Sequence, residues 1–162
     1  HGDPVYENPS PGNRAGGITT LEDKSCGCVQ KGGSAPVVDA IDYADGVRRQ
    51  GLSMMSGPGN DLVSATALTA AGAQLILFTT GRGTPFGAPA PTVKIATNTP
   101  LFERKRGWMD FNAGTVADGD ETLDAAGERL FRHVLLVASG ERTKSERMGA
   151  RGIAIFKTGV TL

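Results

Sequence analysis

The chain has 162 residues, with 17 basic and 17 acidic side chains and a formal net charge of zero. That balance excludes a large basic face for nucleic acid, and no apolar run reaches the roughly 20 residues of a membrane-crossing helix. Hydrophobic residues at 39% and charged residues at 21% are ordinary for a soluble domain with a real core, and 23 glycines without a period point to many tight turns.

Residues 1–18 are rich in Gly, Pro and Asn and read as a linker or loop entry; an α/β domain is expected over 19–162. The first residue is His1 rather than Met, so a piece of a longer, multidomain protein is expected. Thr20-Leu21-Glu22-Asp23 has the form of a capping box and predicts a helix from Leu21 to Gln30, ended by Gly32-Gly33. Pro36 to Tyr43 reads as loop or short strand. Gly51 to Met55 predicts a buried strand closed by Ser56-Gly57-Pro58-Gly59. Asn60 or Asp61 then caps the helix "LVSATALTAAGA", with Gly72 as its stop.

Ala73 to Thr79 is the next strand, followed by a Pro- and Gly-rich loop and a short strand at Val93 to Ala96. A helical turn is expected over Thr99 to Lys105 and a strand over Trp108 to Phe111. Thr122 caps a long helix whose residues Leu123, Ala126, Leu130, Val134 and Val137 recur at helical spacing. Ser139-Gly140 ends it, and Ile153 to Phe156 predicts a last buried strand. Short apolar strands alternating with helices are the pattern of a parallel sheet covered on both faces. The fold class is therefore α/β: three layers, a mainly parallel sheet with helices on both faces, doubly wound and Rossmann-like.

In such a sheet ligands sit beyond the carboxyl ends of the strands. Ser56 to Asp61, Thr79 to Gly87 and Asp110 to Gly114 all follow expected strands and could wall one cleft. "GRGTPFG" begins like a dinucleotide fingerprint, but Phe86 stands where the third glycine belongs and no P-loop lysine is present. Arg82 reads better as a fixed guanidinium for a carboxylate or phosphate, or else as a structural partner of a local acid. The helix start at Glu22, Asp23 and Lys24 reads first as a well-capped surface helix with a flexible entry, though its exposed amides also favour an anion. Asp61 and Asp110 also have plain readings, as helix cap and turn residue. His133 follows Arg132, with Arg129 one turn earlier, and is expected on a solvated face. Cys26 and Cys28 are too close for an ordinary disulfide; they read as reduced thiols, or with one thiolate on a soft metal such as iron.

The stretches "ENPSPGNRAGGITTLEDKS", "GCVQKGG", "PGNDLVSATAL", "LFTTGRGTPFGAPAPTVKIATN", "WMDFNAG" and "IFKTGVTL" together resemble the galactarate dehydratase/altronate dehydratase family of sugar-acid dehydratases. The resemblance covers essentially the whole chain, and "WMDFNAG" with "VASGERTKSE" leans toward the galactarate branch. It implies the C-terminal Rossmann-like part of a longer iron-requiring hydro-lyase, whose remaining domains complete the site, so that this segment alone is expected to be inactive. The implied reaction removes water from galactarate, a sugar diacid, to leave a 2-keto-3-deoxy acid. The roles that follow are Lys24 as base, with Glu22 and Asp110 as further catalytic groups. Thr79, Thr80, Arg82, Lys94, Asn98 and Asn112 would bind substrate, Arg82 and Lys94 at its carboxylates. Asp61 and Cys28 would ligate Fe2+. Altronate dehydration, sulfolactate cleavage by a sulfo-lyase relative, and a non-catalytic anion-binding or assembly module are the alternatives. No signal peptide is visible, and a cytoplasmic protein free to self-associate is expected.

Overall fold

All the described helices except the one at Gly114–Asp118 begin where a short polar side chain takes up the first free amides. The computed structural model describes residues 9–154, and within it Ser10 opens α1 (Pro11–Ala15), its hydroxyl accepting from Asn13 N. Thr20 opens α2 (Leu21–Lys31) by accepting from Asp23 N at 3.1 Å. The entry segment expected to be irregular thus holds one helical turn. Its Ser-Pro start was a usable signal, masked by the surrounding glycines.

β1 (Val37–Ile41) and β2 (Leu52–Met55) pair in parallel as a sheet of their own. Asn60, not Asp61, caps α3 (Asp61–Ala70), its amide oxygen accepting from Leu62 N and Val63 N. β3 (Ile76–Thr80) and β4 (Thr92–Ala96) follow, then α4 (Thr99–Arg104) and the short β5 (Phe111–Asn112). These three strands form a second sheet in the order β3-β4-β5, all parallel. The chain closes with α5 (Gly114–Asp118), α6 (Leu123–Ala138) and α7 (Lys144–Arg147).

The α/β class and its parallel pairing are as the sequence predicts. The division into two parallel sheets among the described residues replaces the single expected sheet. Every residue of β4 is buried, as a central strand covered on both faces must be. On one face Val93, Ile95 and Phe111 pack with Val137 and Leu130 of α6. On the other, Ile76 packs with Ala65 of α3, while Ala96, Leu101 and Met109 close under α4. The strand expected from Trp108 shrinks to Phe111–Asn112, because Met109 turns into that core beneath α4. Of the last expected strand, Ile153 and Ala154 are irregular and Ile153 is largely exposed; Ile155 and Phe156 lie outside the described residues. Among the described residues no helix is long and apolar enough to cross a membrane.

Candidate functional site

Parallel pairing puts the carboxyl ends of β3, β4 and β5 side by side, so Gly81–Gly83, Thr97–Asn98 and Ala113–Gly114 become neighbours. The hydrogen bonds show how tightly they join. Thr97 N donates to Thr80 O at 3.1 Å, Ala113 N to Ala96 O at 2.9 Å, and the Asn98 amide nitrogen to Gly81 O at 3.1 Å. Asn98 also caps α4, its oxygen accepting from Leu101 N at 2.9 Å. The Asn112 side chain bridges Thr99 Oγ1 and Gly114 N. Gly114 is held against this junction so closely that a Cβ there would stand 2.2 Å from Thr99 N. Ser56–Asp61 follows β2 and therefore belongs to the other sheet, so the three loops expected in one cleft do not share one sheet edge.

The β3 loop carries Arg82, whose side chain is exposed. Its guanidinium lies over α1, where a Cβ on Gly12 would fall 2.7 Å from Nη2. A larger residue at position 12 would push the guanidinium aside, so this contact joins two polar stretches far apart in sequence. Beneath Arg82 the loop is fixed: Gly83 N donates to Thr80 Oγ1 at 2.9 Å, and Lys105 Nζ donates to Arg82 O at 2.9 Å. Thr80 is thus a loop staple, while Thr79 is exposed.

Other candidates are placed differently from their expected roles. Lys94 is fully buried, since alternation along β4 turns it with Thr92 and Ala96 toward the α4 side. Its ammonium donates to Thr84 O at 2.8 Å, and burial lowers its pKa against an opposing pull from Asp110. Asp110 is a bracket: its two oxygens accept from Lys94 N and Lys144 N, each at 2.8 Å, tying β4 to the start of α7. Glu22 and Lys24 occupy the first turns of α2, Glu22 exposed and Lys24 half-buried. Asp61 is exposed at the start of α3. The Cys28 side chain lies outside the described residues. Among the described residues no three His, Cys, Asp or Glu side chains come together as a metal site. His133 is half-buried rather than solvated, its Nε2 shielded and without a hydrogen-bond partner.

Sequence reading missed several groups at this end of the sheet. Arg129 of α6 stacks with its guanidinium carbon 4.0 Å from the Phe111 ring centre, donates to Asn112 O at 2.8 Å and pairs with Glu121. Hydrogen bonds from Arg129 and then Thr115 hold the Glu121 carboxyl below its usual pKa. A groove of about 410 Å³ opens beside it, lined by Thr79, Thr97, Phe111, Ala113 and Leu130 among others, and is mainly apolar. Arg82 lies outside that groove. Thr143-x-x-Glu146, a reciprocal capping box that could have been read from sequence, starts α7 and sets Lys144 N on Asp110.

The fold and its loops define an α/β domain whose polar groups, led by an exposed arginine, gather at the carboxyl ends of parallel strands. The chain belongs to the D-galactarate/altronate dehydratase C-terminal family, which matches residues 1–161. Over all 162 of its residues it is 54% identical to an altronate dehydratase of Bacillus subtilis (strain 168) and 51% identical to one of Escherichia coli (strain K12). It covers 33% and 32% of those proteins, about a third of their length. A galactarate dehydratase (L-threo-forming) of Escherichia coli (strain K12) is 40% identical over 92% of the chain and 29% of its own length. The beta subunit of a (2R)-sulfolactate sulfo-lyase from Chromohalobacter salexigens is 31% identical over 92% of the chain, which covers 39% of it.

Proposed function

We propose that this chain forms the C-terminal domain of a hydro-lyase that removes water from a sugar acid, altronate in first place, and that Arg82 binds the substrate's carboxylate. The carrying observation is the Arg82 loop: an exposed guanidinium at the carboxyl end of β3, packed on Gly12 and anchored through Thr80 and Lys105. A planar guanidinium held in one place matches a carboxylate bidentately. Identity supports altronate over galactarate, 54% and 51% against 40%. The placement of Lys94 supports it too. The cation expected on the second carboxylate of a diacid is closed into the interior.

In the proposed reaction a base takes the proton beside the carboxylate and the neighbouring carbon–oxygen bond breaks. The departing hydroxide takes up a proton, so that the one the base removed and the hydroxyl leave together as water in the net reaction, and the resulting enol tautomerises to the 2-keto-3-deoxy acid. Positive charge at the carboxylate favours the enolate-like transition state, because the charge there grows as the proton leaves. Lys24 is the proposed base, supported by its place among the polar residues at the start of α2. The ferrous ion that the resemblance implies would act as a Lewis acid toward the enolate and the departing hydroxide. The described side chains do not form its ligand set. The remaining two-thirds of a relative-sized polypeptide is proposed to complete the site.

The test is Arg82→Lys in the full-length protein with altronate as substrate. Loss of the bidentate fork should lower kcat/KM by about 10- to 100-fold. Wild-type kinetics in this variant would remove Arg82 from the site.

A further inference from the structure

Three consecutive carbonyl oxygens of the Arg82 loop accept from two lysine ammoniums. Lys105, just past α4, donates from Nζ to Arg82 O at 2.9 Å and to Gly83 O at 3.3 Å. Lys94, inside β4, donates from Nζ to Thr84 O at 2.8 Å. The Lys105 ammonium also stands 4.6 Å from the centre of the Trp108 ring, which fixes it from the other side. Between the two anchors Gly83 takes φ +79, and a Cβ there would meet Leu101 Cδ1 and Lys105 Cδ at 2.9 Å. The loop is therefore held from beneath by its oxygens and packed without slack at its middle.

Burying an ammonium costs several kcal/mol unless its donors and charge are satisfied. Lys94 is completely buried, yet a methionine would fill a similar volume without that cost. What the ammonium adds is a directed bond to one carbonyl, and Lys105 adds two more from the opposite side of the turn. An ammonium has three donors and no acceptor, which suits a cluster of oxygens on adjacent residues. With the oxygens of residues 82, 83 and 84 tied to these ammoniums, the exposed Arg82 side chain extends across Gly12.

We propose that Lys105 and Lys94 are positioning residues: their ammoniums clamp the carbonyls of Arg82, Gly83 and Thr84 and so hold the Arg82 guanidinium in one orientation for a substrate carboxylate. The link to substrate rests on the reading of Arg82 as the carboxylate-binding group. The clamp itself does not.

The experiment compares Lys105→Met and Lys105→Arg with wild type in the full-length protein, by hydrogen exchange and by altronate kinetics. In Lys105→Met the amides of residues 80–86 should exchange about tenfold faster, because two charge-assisted bonds are gone, while α6 keeps its protection and reports an intact fold. KM for altronate should rise about tenfold with kcat within about twofold, and Lys105→Arg, which keeps the donors, should recover most of both losses. Unchanged exchange in the loop would overturn the clamp. Faster exchange with unchanged KM would overturn its role in presenting Arg82. Wild-type KM in Arg82→Lys would instead defeat the carboxylate reading, and the exchange result would still decide the clamp. Lys94→Met is the second variant; loosening at Thr84 is expected, and unchanged protection there would remove Lys94 from the proposal.

Discussion

Replacing Gly114 with alanine would test how closely the ends of the three strands are pressed together. A Cβ at this position would stand 2.2 Å from Thr99 N, 2.5 Å from Asn98 C and 2.6 Å from Asn98 Cα. Ordinary contact between such atoms is about 3.5–4.0 Å, so relief requires a movement of about 1 Å or more. The obstructing atoms are backbone, and they lie where Asn98 caps α4 and Thr99 meets Asn112. No rotamer change can absorb the clash. Overpacking of this kind costs about 1–3 kcal/mol, and the backbone setting puts Gly114→Ala at the upper end. For a chain of this size about 1 kcal/mol moves Tm by about 2–4 °C, so a fall of roughly 6–12 °C is expected. Urea unfolding should show the lower midpoint with an unchanged slope. Gly127→Ala is the control: this glycine lies inside α6 with nothing within 4 Å of a built Cβ, so alanine should stabilise by about 0.5–1 kcal/mol. A Gly114→Ala protein within about 0.5 kcal/mol of wild type would refute the close junction.

Two further outcomes follow from the buried polar groups. Asp110→Ala should destabilise by about 3–5 kcal/mol, since it strips the acceptors from Lys94 N and Lys144 N and leaves the Lys94 ammonium without its nearby carboxylate; Asp110→Asn, which keeps one acceptor, should lose less, and equal urea midpoints for the two variants would contradict the bracket. Burial depresses the Lys94 pKa below 10.5 in the folded chain, so as pH rises through that lowered value toward 10.5 the unfolded state holds a proton that the folded state has released. Stability of wild type relative to Lys94→Met should therefore rise with pH in that alkaline window, and a difference that stays flat in urea melts from pH 7 to about 10.5 would show that Lys94 is not desolvated.

Local signals in the sequence carried a good part of the fold. Thr20, Asn60 and Thr122 each cap the helix that follows them, because capping depends on a side chain and an amide two or three residues away. The runs that became β2, β3 and β4 were legible as apolar segments between turn residues. The parallel sense of pairing followed from their alternation with helices, but which strands pair did not, and the split between β1-β2 and β3-β4-β5 had no local trace. The site shows the same limit. Arg82 could be singled out because it follows a strand in a glycine-rich loop. That Lys94 turns inward depends on what packs on that face of β4. Asp110 acts on amides 16 and 34 residues away, and no spacing rule links such partners. Lys105 entered the sequence reading only as the end of the helical turn from Thr99, and the return of the Arg82 loop gives it its place.

The most direct measurement of the central claim is turnover of a substrate panel by the full-length protein: altronate, galactarate and sulfolactate, with the product identified. The expected result is loss of water from altronate to give a 2-keto-3-deoxy acid, faster than from galactarate, and sharply reduced by Arg82→Lys. Release of sulfite from sulfolactate without sugar-acid dehydration, or no turnover of either sugar acid, would contradict it.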